Sequence, residues 1–422
     1  MDLIPLLTRH LNLNDKRTLY IALTTPIIGY LAFQTLTTLL TSSKSNGSHS
    51  QHNILESPRK VLHSLSPQEL DELPYPSDAL PGRRDVETPY GSIRVYEWGP
   101  MEGRKVLFVH GISTPCIAFA PVARLLVSHG FRVMLFDLFG RGYSDTPDPT
   151  LYPQNIGLFT SQILLVLASS PLSWTGTAGE RFTVIGYSLG GGIAAGFTSF
   201  LPHMIESLVL IAPSGLLRHR HISRSSRWLY GGLLPRWLVN YYVRKRIGGD
   251  PEPRPRPPQK LQSSSTLPLL PVQAIKSEMP TDHPALAPDS SAPLFPDRPW
   301  ISPASIVNWQ LNSHPGFLPA FISSIQHAPI RDQHERWRIM GRRQGKASRK
   351  TDKGQFGNSL KEGKVLVLLG RQDEVILAEE VGEDAREAFG EENVEVVVLE
   401  GGHDVPIVNA RGCVDSILGF LR

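Results

Sequence analysis

A serine with a glycine two positions away on either side, Gly186-Tyr187-Ser188-Leu189-Gly190, is the feature of this sequence best suited to do chemistry. The apolar run Phe182 to Ile185 precedes it as a strand would, and Gly191 to Leu201 follows it as a helix would. At a strand-turn-helix junction the small residues let the turn close tightly and push the serine oxygen out at the end of the sheet. A serine hydroxyl is a weak nucleophile at neutral pH, so it needs a base to take its proton as it attacks an acyl carbonyl. Other chemistries are poorly served. Gly190-Gly191-Gly192 lacks the G-x-G-x-x-G register of a dinucleotide fingerprint. His110, His403 and the scattered acids show no HExxH or comparable ligand spacing. No cofactor and no metal are expected.

Further motifs accompany the serine. His110-Gly111 ends the strand-like Lys105 to Val109, and Asp137-Leu138-Phe139-Gly140-Arg141-Gly142-Tyr143-Ser144-Asp145 reads D-x-x-G-x-G-x-S-D. Gly370-Arg371-Gln372-Asp373 and Gly402-His403-Asp404 each follow an apolar strand-like run. With the serine motif these resemble the α/β-hydrolase fold family, and within it the cap-bearing group of ester, C-C bond, epoxide and haloalkane hydrolases. The resemblance covers roughly Asp85 to Leu216 and Lys364 to Arg422. It implies a Ser-acid-His order of Ser188, Asp373 and His403 along the chain. His403 would remove the serine proton, Asp373 would hold the imidazole tautomer, and the backbone N-H groups of Leu189 and Ile112 would receive the charge that builds on the carbonyl oxygen.

Rivals for these roles are present. His110 is a second candidate base, although the resemblance gives it a structural place before the nucleophile. Glu374 is the nearest substitute for Asp373, and Asp404 is adjacent to the histidine, a poor position from which to orient its ring. The epoxide and haloalkane hydrolases of this fold carry Asp where this chain has Ser188, which disfavours those activities. The H-x4-D motif of some lipid-metabolising acyltransferase relatives is absent, since the residue five after His403 is Val408. The reading is a membrane-anchored serine hydrolase cleaving a carboxylic ester of a hydrophobic or lipid-like substrate. C-C bond hydrolysis and a non-catalytic membrane binding protein stay open beside it.

The elements that must position these residues follow from an alternation of short apolar runs with longer helical stretches, which predicts a mostly parallel sheet with helices on both faces. Strands are expected at Ser92 to Glu97, Lys105 to His110, Arg132 to Asp137, Phe182 to Tyr187, Ser207 to Ala212, Lys364 to Gly370 and Val394 to Leu399. Helices are expected at Ile117 to His129, Asn155 to Ser169, Leu189 to Leu201, Ala378 to Phe389 and Val405 to Leu421. The two core parts, 85–216 and 364–422, enclose a cap insertion at 217–363. Its first stretch sets Trp228, Leu229, Tyr230, Leu233, Leu234, Trp237, Leu238, Tyr241 and Tyr242 at near-helical spacing among arginines. It reads as a packed cap helix or as a basic amphipathic surface for a membrane. Within the cap, 250–303 holds 14 of the chain's 36 prolines and reads as a disordered loop, with apolar patches at Leu267 to Pro271 and Ala292 to Pro296.

Thr18 to Ser43 contains no charged residue and is long enough as a helix to cross about 30 Å of hydrocarbon. A single-pass anchor at 18–43 is expected, between an N-terminal flank at 1–17 and a polar linker at 44–84. Arg9, Lys16 and Arg17 precede it and Lys44 follows, a bias that puts the N-terminus in the cytosol and the main domain across an endomembrane such as the endoplasmic reticulum. Asn46-Gly47-Ser48 is then a glycan acceptor motif. Cys116 and Cys413 are too few for a disulfide framework or a Cys-rich zinc site. A net charge of +4 spread over 422 residues, with a basic run at Arg342 to Lys353 diluted by Gly, Ser and Gln, does not favour nucleic acid.

Overall fold

The computed structural model describes residues 25, 29, 53–176, 180–218, 224–248, 292–349, 360 and 364–422. The chain divides into two units, Met1–Asn53 and Ile54–Arg422, and the second carries the fold. In the first, Thr25 and Gly29 are helical. The rest of the expected anchor 18–43, the flank 1–17 and Asn46 lie outside the described residues, as does most of the Pro-rich segment. Among the described residues no helix is long and apolar enough to cross a membrane.

Short runs of Val, Ile, Leu and Phe, buried on both faces, make the inner strands of the central sheet, as expected of parallel strands covered on both sides. Its strands are β1 (Arg83–Val86), β2 (Ile93–Trp98), β3 (Lys105–Val109), β4 (Arg132–Phe136), β5 (Phe182–Tyr187), β6 (Ile205–Ile211), β7 (Val365–Gly370) and β8 (Val394–Leu399). Their order is β8-β7-β6-β5-β3-β4-β2-β1. β1 and β2 run antiparallel to their neighbours and the other pairings are parallel. β1 is absent from the sequence expectation because an edge strand reading Arg-Arg-Asp-Val, half exposed, carries no apolar run. From β3 the chain moves out to β4 on one side and returns to β5 on the other. A crevice therefore opens outside the carboxyl ends of β3 and β5, where sheets of this kind hold ligands. The register Val109 with Gly186, Tyr187 with Ile211, Ile211 with Leu368, and Leu399 with Gly370 brings these strand ends to one edge.

The core helices are α1 (Ala120–Ser128), α2 (Ile156–Ala168) and α3 (Leu189–Phe200). The interval between β6 and β7 holds α4 (Arg224–Tyr230), α5 (Arg236–Gly248), α6 (Pro303–Ser313), α7 (Phe317–His327) and α8 (His334–Arg349). After β7 come α9 (Ala378–Phe389), α10 (Val405–Val408) and α11 (Ala410–Leu421). The single helix expected over Val405 to Leu421 is two. Asn409 leaves helical geometry (φ −129°, ψ 48°), and its side chain accepts the Gly412 N-H at 3.1 Å, which caps a new helix.

Three stretches pack more tightly than their sequence suggests. The expected polar linker 44–84 belongs to the packed body from Ile54 onward. Ile54–Leu55 pairs with Thr146–Pro147, and Tyr75 is fully buried with its hydroxyl on Asp137. The end of the expected disordered loop, 292–303, is ordered. Leu294, Phe295 and Ile301 are buried, and Leu294 N-H donates to the Ile301 carbonyl at 2.8 Å. Finally, α8 packs on the core rather than the cap. Trp337 is fully buried with its ring 5.0 Å from Phe389, and a Cβ on Gly341 would sit 2.4 Å from the Phe389 carbonyl oxygen. The first basic residues of the 342–353 run are taken up there, Arg342 by Glu335 and Arg343 by the Ser199 carbonyl.

Candidate active site

Ser188 stands between the end of β5 and the start of α3 with φ 53° and ψ −121°, a left-handed conformation that costs a non-glycine residue energy and persists only where its surroundings enforce it. The enforcement is visible. Ser188 N-H donates to the Ile211 carbonyl at 3.0 Å, and its own carbonyl accepts from Gly191 and Ser214, each at 2.9 Å. The flanking glycines are required by contact: a Cβ on Gly186 would fall 2.3 Å from the Gly190 carbonyl oxygen, and one on Gly190 would fall 1.9 Å from that of Val109.

Three sequence-distant residues meet at this turn. His403 Nε2 lies 3.0 Å from Ser188 Oγ, and His403 Nδ1 lies 2.9 Å from Asp373 Oδ2. Asp373 Oδ1 accepts from the N-H groups of Val375 and Ile376, both at 2.8 Å, which fixes the carboxylate. With Nδ1-H donating to the carboxylate, Nε2 is left to accept the serine proton. Ser188, Asp373 and His403 are each 4% exposed. Burial by itself pulls the His403 pKa down. The Asp373 carboxylate, through its charge and its hydrogen bond, outweighs burial with help from the Asp404 charge, and the net shift is upward from the usual imidazole value.

The rivals are placed elsewhere. Asp404 accepts the Tyr187 hydroxyl proton at 3.0 Å, and it is Asp373, not Glu374, that reaches the imidazole. His110 is fully buried, with Nε2 accepting the Leu138 N-H at 2.8 Å and Nδ1-H directed at the Gly111 carbonyl at 2.8 Å. Burial pushes its pKa down to about 3, so it is a neutral strut rather than a proton acceptor for Ser188.

The loop after β3 borders the serine: a Cβ on Gly111 would be 3.4 Å from that of Ser188. Three consecutive carbonyls of this loop each accept from a buried side chain. Gly111 is held by His110 Nδ1, Ile112 by Arg141 Nε at 3.0 Å and Ser113 by Gln310 Nε2 at 2.9 Å. The first of these bonds fixes the peptide unit whose N-H belongs to Ile112. Leu189 N-H, in the first turn of α3, has no intrahelical acceptor by its position. The two N-H groups named from the sequence thus belong to the two segments that flank Ser188 Oγ.

The D-x-x-G-x-G-x-S-D segment supports this loop. Asp137 accepts from Cys116 N-H at 3.0 Å and Tyr143 N-H at 2.9 Å, and burial raises its pKa. Arg141 is fully buried and gives all its bonds to neutral oxygens: those of Ile112 and Phe139, Gln154 Oε1 and Ser324 Oγ. Burial draws its pKa down to about 9. From the cap side, Gln310 Oε1 accepts the Gly142 N-H at 2.8 Å, and His314 Nε2-H points at the Ser144 carbonyl at 3.0 Å. Gln310, His314 and Ser324 went unread in the sequence, since nothing local marks a residue whose partner lies some 170 positions earlier. Gln372 is a further one. Its side chain accepts the Gly401 N-H and donates to Glu400, which joins the Asp373 loop to the His403 loop.

The chain is similar to known hydrolases. Residues 102–278 match the family described as serine aminopeptidase, S33. A serine hydrolase-like protein of Danio rerio is 33% identical over 133 residues, 31% of this chain and 38% of that protein. A serine hydrolase-like protein of Homo sapiens is 31% identical over 126 residues, 30% of this chain and 58% of that protein. The matched stretch therefore spans less than two thirds of either relative. The structure of a thermophilic esterase from Thermogutta terrifontis aligns with a TM-score of 0.51 at 18% identity, over 81% of this chain and 98% of the esterase. That likeness is one of fold, and the family match and the relatives support a hydrolase.

Proposed function

We propose that this α/β-hydrolase cleaves a carboxylic ester through an acyl-enzyme on Ser188. The observation that carries the reading is the 3.0 Å approach of His403 Nε2 to Ser188 Oγ, with Asp373 on the other ring nitrogen at 2.9 Å. In this reading Ser188 Oγ attacks the ester carbonyl as its proton passes to His403 Nε2. The charge on the carbonyl oxygen is met by the N-H groups of Leu189 and Ile112. His403 returns the proton to the departing alkoxide, the alcohol leaves, and water repeats the sequence to free the acid and Ser188. Asp373 keeps Nδ1 protonated and stabilises the transient imidazolium.

A hydrophobic or lipid-like ester is supported by two sequence features: the charge-free segment 18–43, which we read as a membrane anchor, and the aromatic first cap helices. Apolar esters concentrate at bilayers, so an enzyme held there meets them at high local concentration.

The test is a substrate panel of short-chain esters, long-chain glycerides, acyl thioesters and β-diketones, with Ser188→Ala as the blank and a fluorophosphonate as probe. Ester turnover and probe labelling, both lost in Ser188→Ala, are expected. Turnover of the β-diketone alone would replace the ester reading with C-C bond hydrolysis. Equal labelling of wild type and Ser188→Ala would remove Ser188 as the nucleophile.

A further inference from the structure

We propose that the solvent face of α4 and α5 is a docking surface for an anionic lipid bilayer, distinct from the segment 18–43 and independent of the reaction proposed for Ser188. The two faces of α5 carry the argument. Val239, Val243 and Ile247, four residues apart, are buried and seat the helix on the protein. The opposite face of a surface helix is normally polar. Here it is aromatic. Trp237 is 71% exposed and Tyr241, one turn on, is 58% exposed, with Tyr242 beside them at 47%. Trp228 of α4 (65%) and Leu233 of the intervening turn (67%) add to the same short stretch of chain.

Charge selects the occupant. Residues 224–248 contain six Lys and Arg and no Asp or Glu, and α6 and α7 contain no acid either. Arg244 is spent on holding α5 to α6, through the Leu311 carbonyl and Asn312 Oδ1, both at 2.8 Å. Arg227 and Arg236 are exposed and directly precede Trp228 and Trp237 in the chain, and Lys245 is exposed one helical turn after Tyr241. Tryptophan and tyrosine have an apolar body with a polar N-H or O-H, the combination that settles at the headgroup level of a bilayer. Basic side chains around them can lay their stems on the apolar surface and reach lipid phosphates. A helix face that exposes aromatic residues, in a stretch of chain whose charges are all basic, matches an anionic bilayer in polarity and charge.

The test uses the full chain with vesicles of phosphatidylcholine carrying bromine on the acyl chains and a minority of phosphatidylserine. Bromine quenches tryptophan fluorescence only at short range, and 18–43 contains no tryptophan, so an anchor there does not confuse the readout. Quenching is expected in the wild type, with the quenched component lost in Trp228→Phe/Trp237→Phe. In Arg227→Gln/Arg236→Gln/Lys245→Gln, which keeps both tryptophans, quenching should weaken and lose its dependence on phosphatidylserine. Equal quenching of wild type and Trp228→Phe/Trp237→Phe would overturn the proposal. So would protein self-association in the absence of vesicles that Trp237→Ser abolishes, since the face would then belong to a second copy. All these residues are exposed, so the substitutions leave the packed core untouched.

Discussion

Gln310 Nε2 donates to the main-chain carbonyl of Ser113 over 2.9 Å, so a helix of the cap holds the loop that borders Ser188. The other end of the same side chain accepts the Gly142 N-H, and all three groups are buried. Gln310→Leu would orphan a buried donor and a buried acceptor, each costing roughly 1–3 kcal/mol. The melting temperature should fall. Because the lost bond supports the loop that supplies Ile112 N-H, kcat on a small ester should also fall, by about tenfold, with KM little changed. Gln310→Glu keeps an acceptor for Gly142 but sets an oxygen against the Ser113 carbonyl, and should lower kcat similarly. Thermal unfolding and steady-state kinetics check both; unchanged kcat in a destabilised protein would make Gln310 a purely structural tie.

His403→Ala should lower turnover by roughly 10³-fold or more, and Asp373→Asn should come close, because the amide favours the wrong imidazole tautomer. The pH profile adds a sign. His403 accepts a proton only when neutral, so kcat/KM should rise through its upshifted pKa, with the acid limb above the ordinary imidazole value of 6.5. Asp373→Asn removes the main opposition to burial and leaves only the Asp404 charge against it, so the limb of the residual activity should move to lower pH. A limb that stays in place would assign it to another group.

His110 and His314 are buried neutral, with pKa values pushed down to about 3 and about 4, burial being the first cause of each. In the unfolded chain both would take up a proton near 6.5. A folded pKa below the unfolded one contributes stability that is present above the unfolded value and lost as pH falls through the folded one. The melting temperature should therefore drop steadily from about pH 6.5 toward pH 3. His314→Gln, which keeps a donor for the Ser144 carbonyl, should flatten part of that slope; an equal slope in both proteins would count against His314.

The end of the Pro-rich interval, from 292, is packed. The proline- and serine-rich composition of 250–290 predicts that replacing it with a shorter Gly/Ser linker leaves the melting temperature nearly unchanged, since each halving or doubling of loop length changes closure entropy by only about 0.6 kcal/mol. Extending the replacement through 302 removes Leu294, Phe295 and Ile301 from the core, at roughly 1.5–3 kcal/mol each. Calorimetry of the two proteins separates them; equal melting temperatures would mean that the buried tail contributes nothing.

Features set by neighbours along the chain are legible without coordinates. β3, β4, β5, β7 and β8 follow from short, mostly apolar runs, and the Ser188 turn from glycines whose absent side chains make room for two carbonyls. Asp373 and His403 were named by resemblance, at strand ends that a parallel sheet brings to one edge. How that edge is held depends on contacts between distant segments. Arg141 meets Ser324 across 183 positions and Gln310 meets Ser113 across 197, and no local pattern encodes a bond between residues so far apart. Likewise Tyr75 and Trp337 are buried because of what packs over them, in segments that the sequence alone reads as a polar linker and as part of the cap insertion. Periodicity reports which side of an element is apolar, whereas the partner of a single polar side chain is set by where the whole chain has gone.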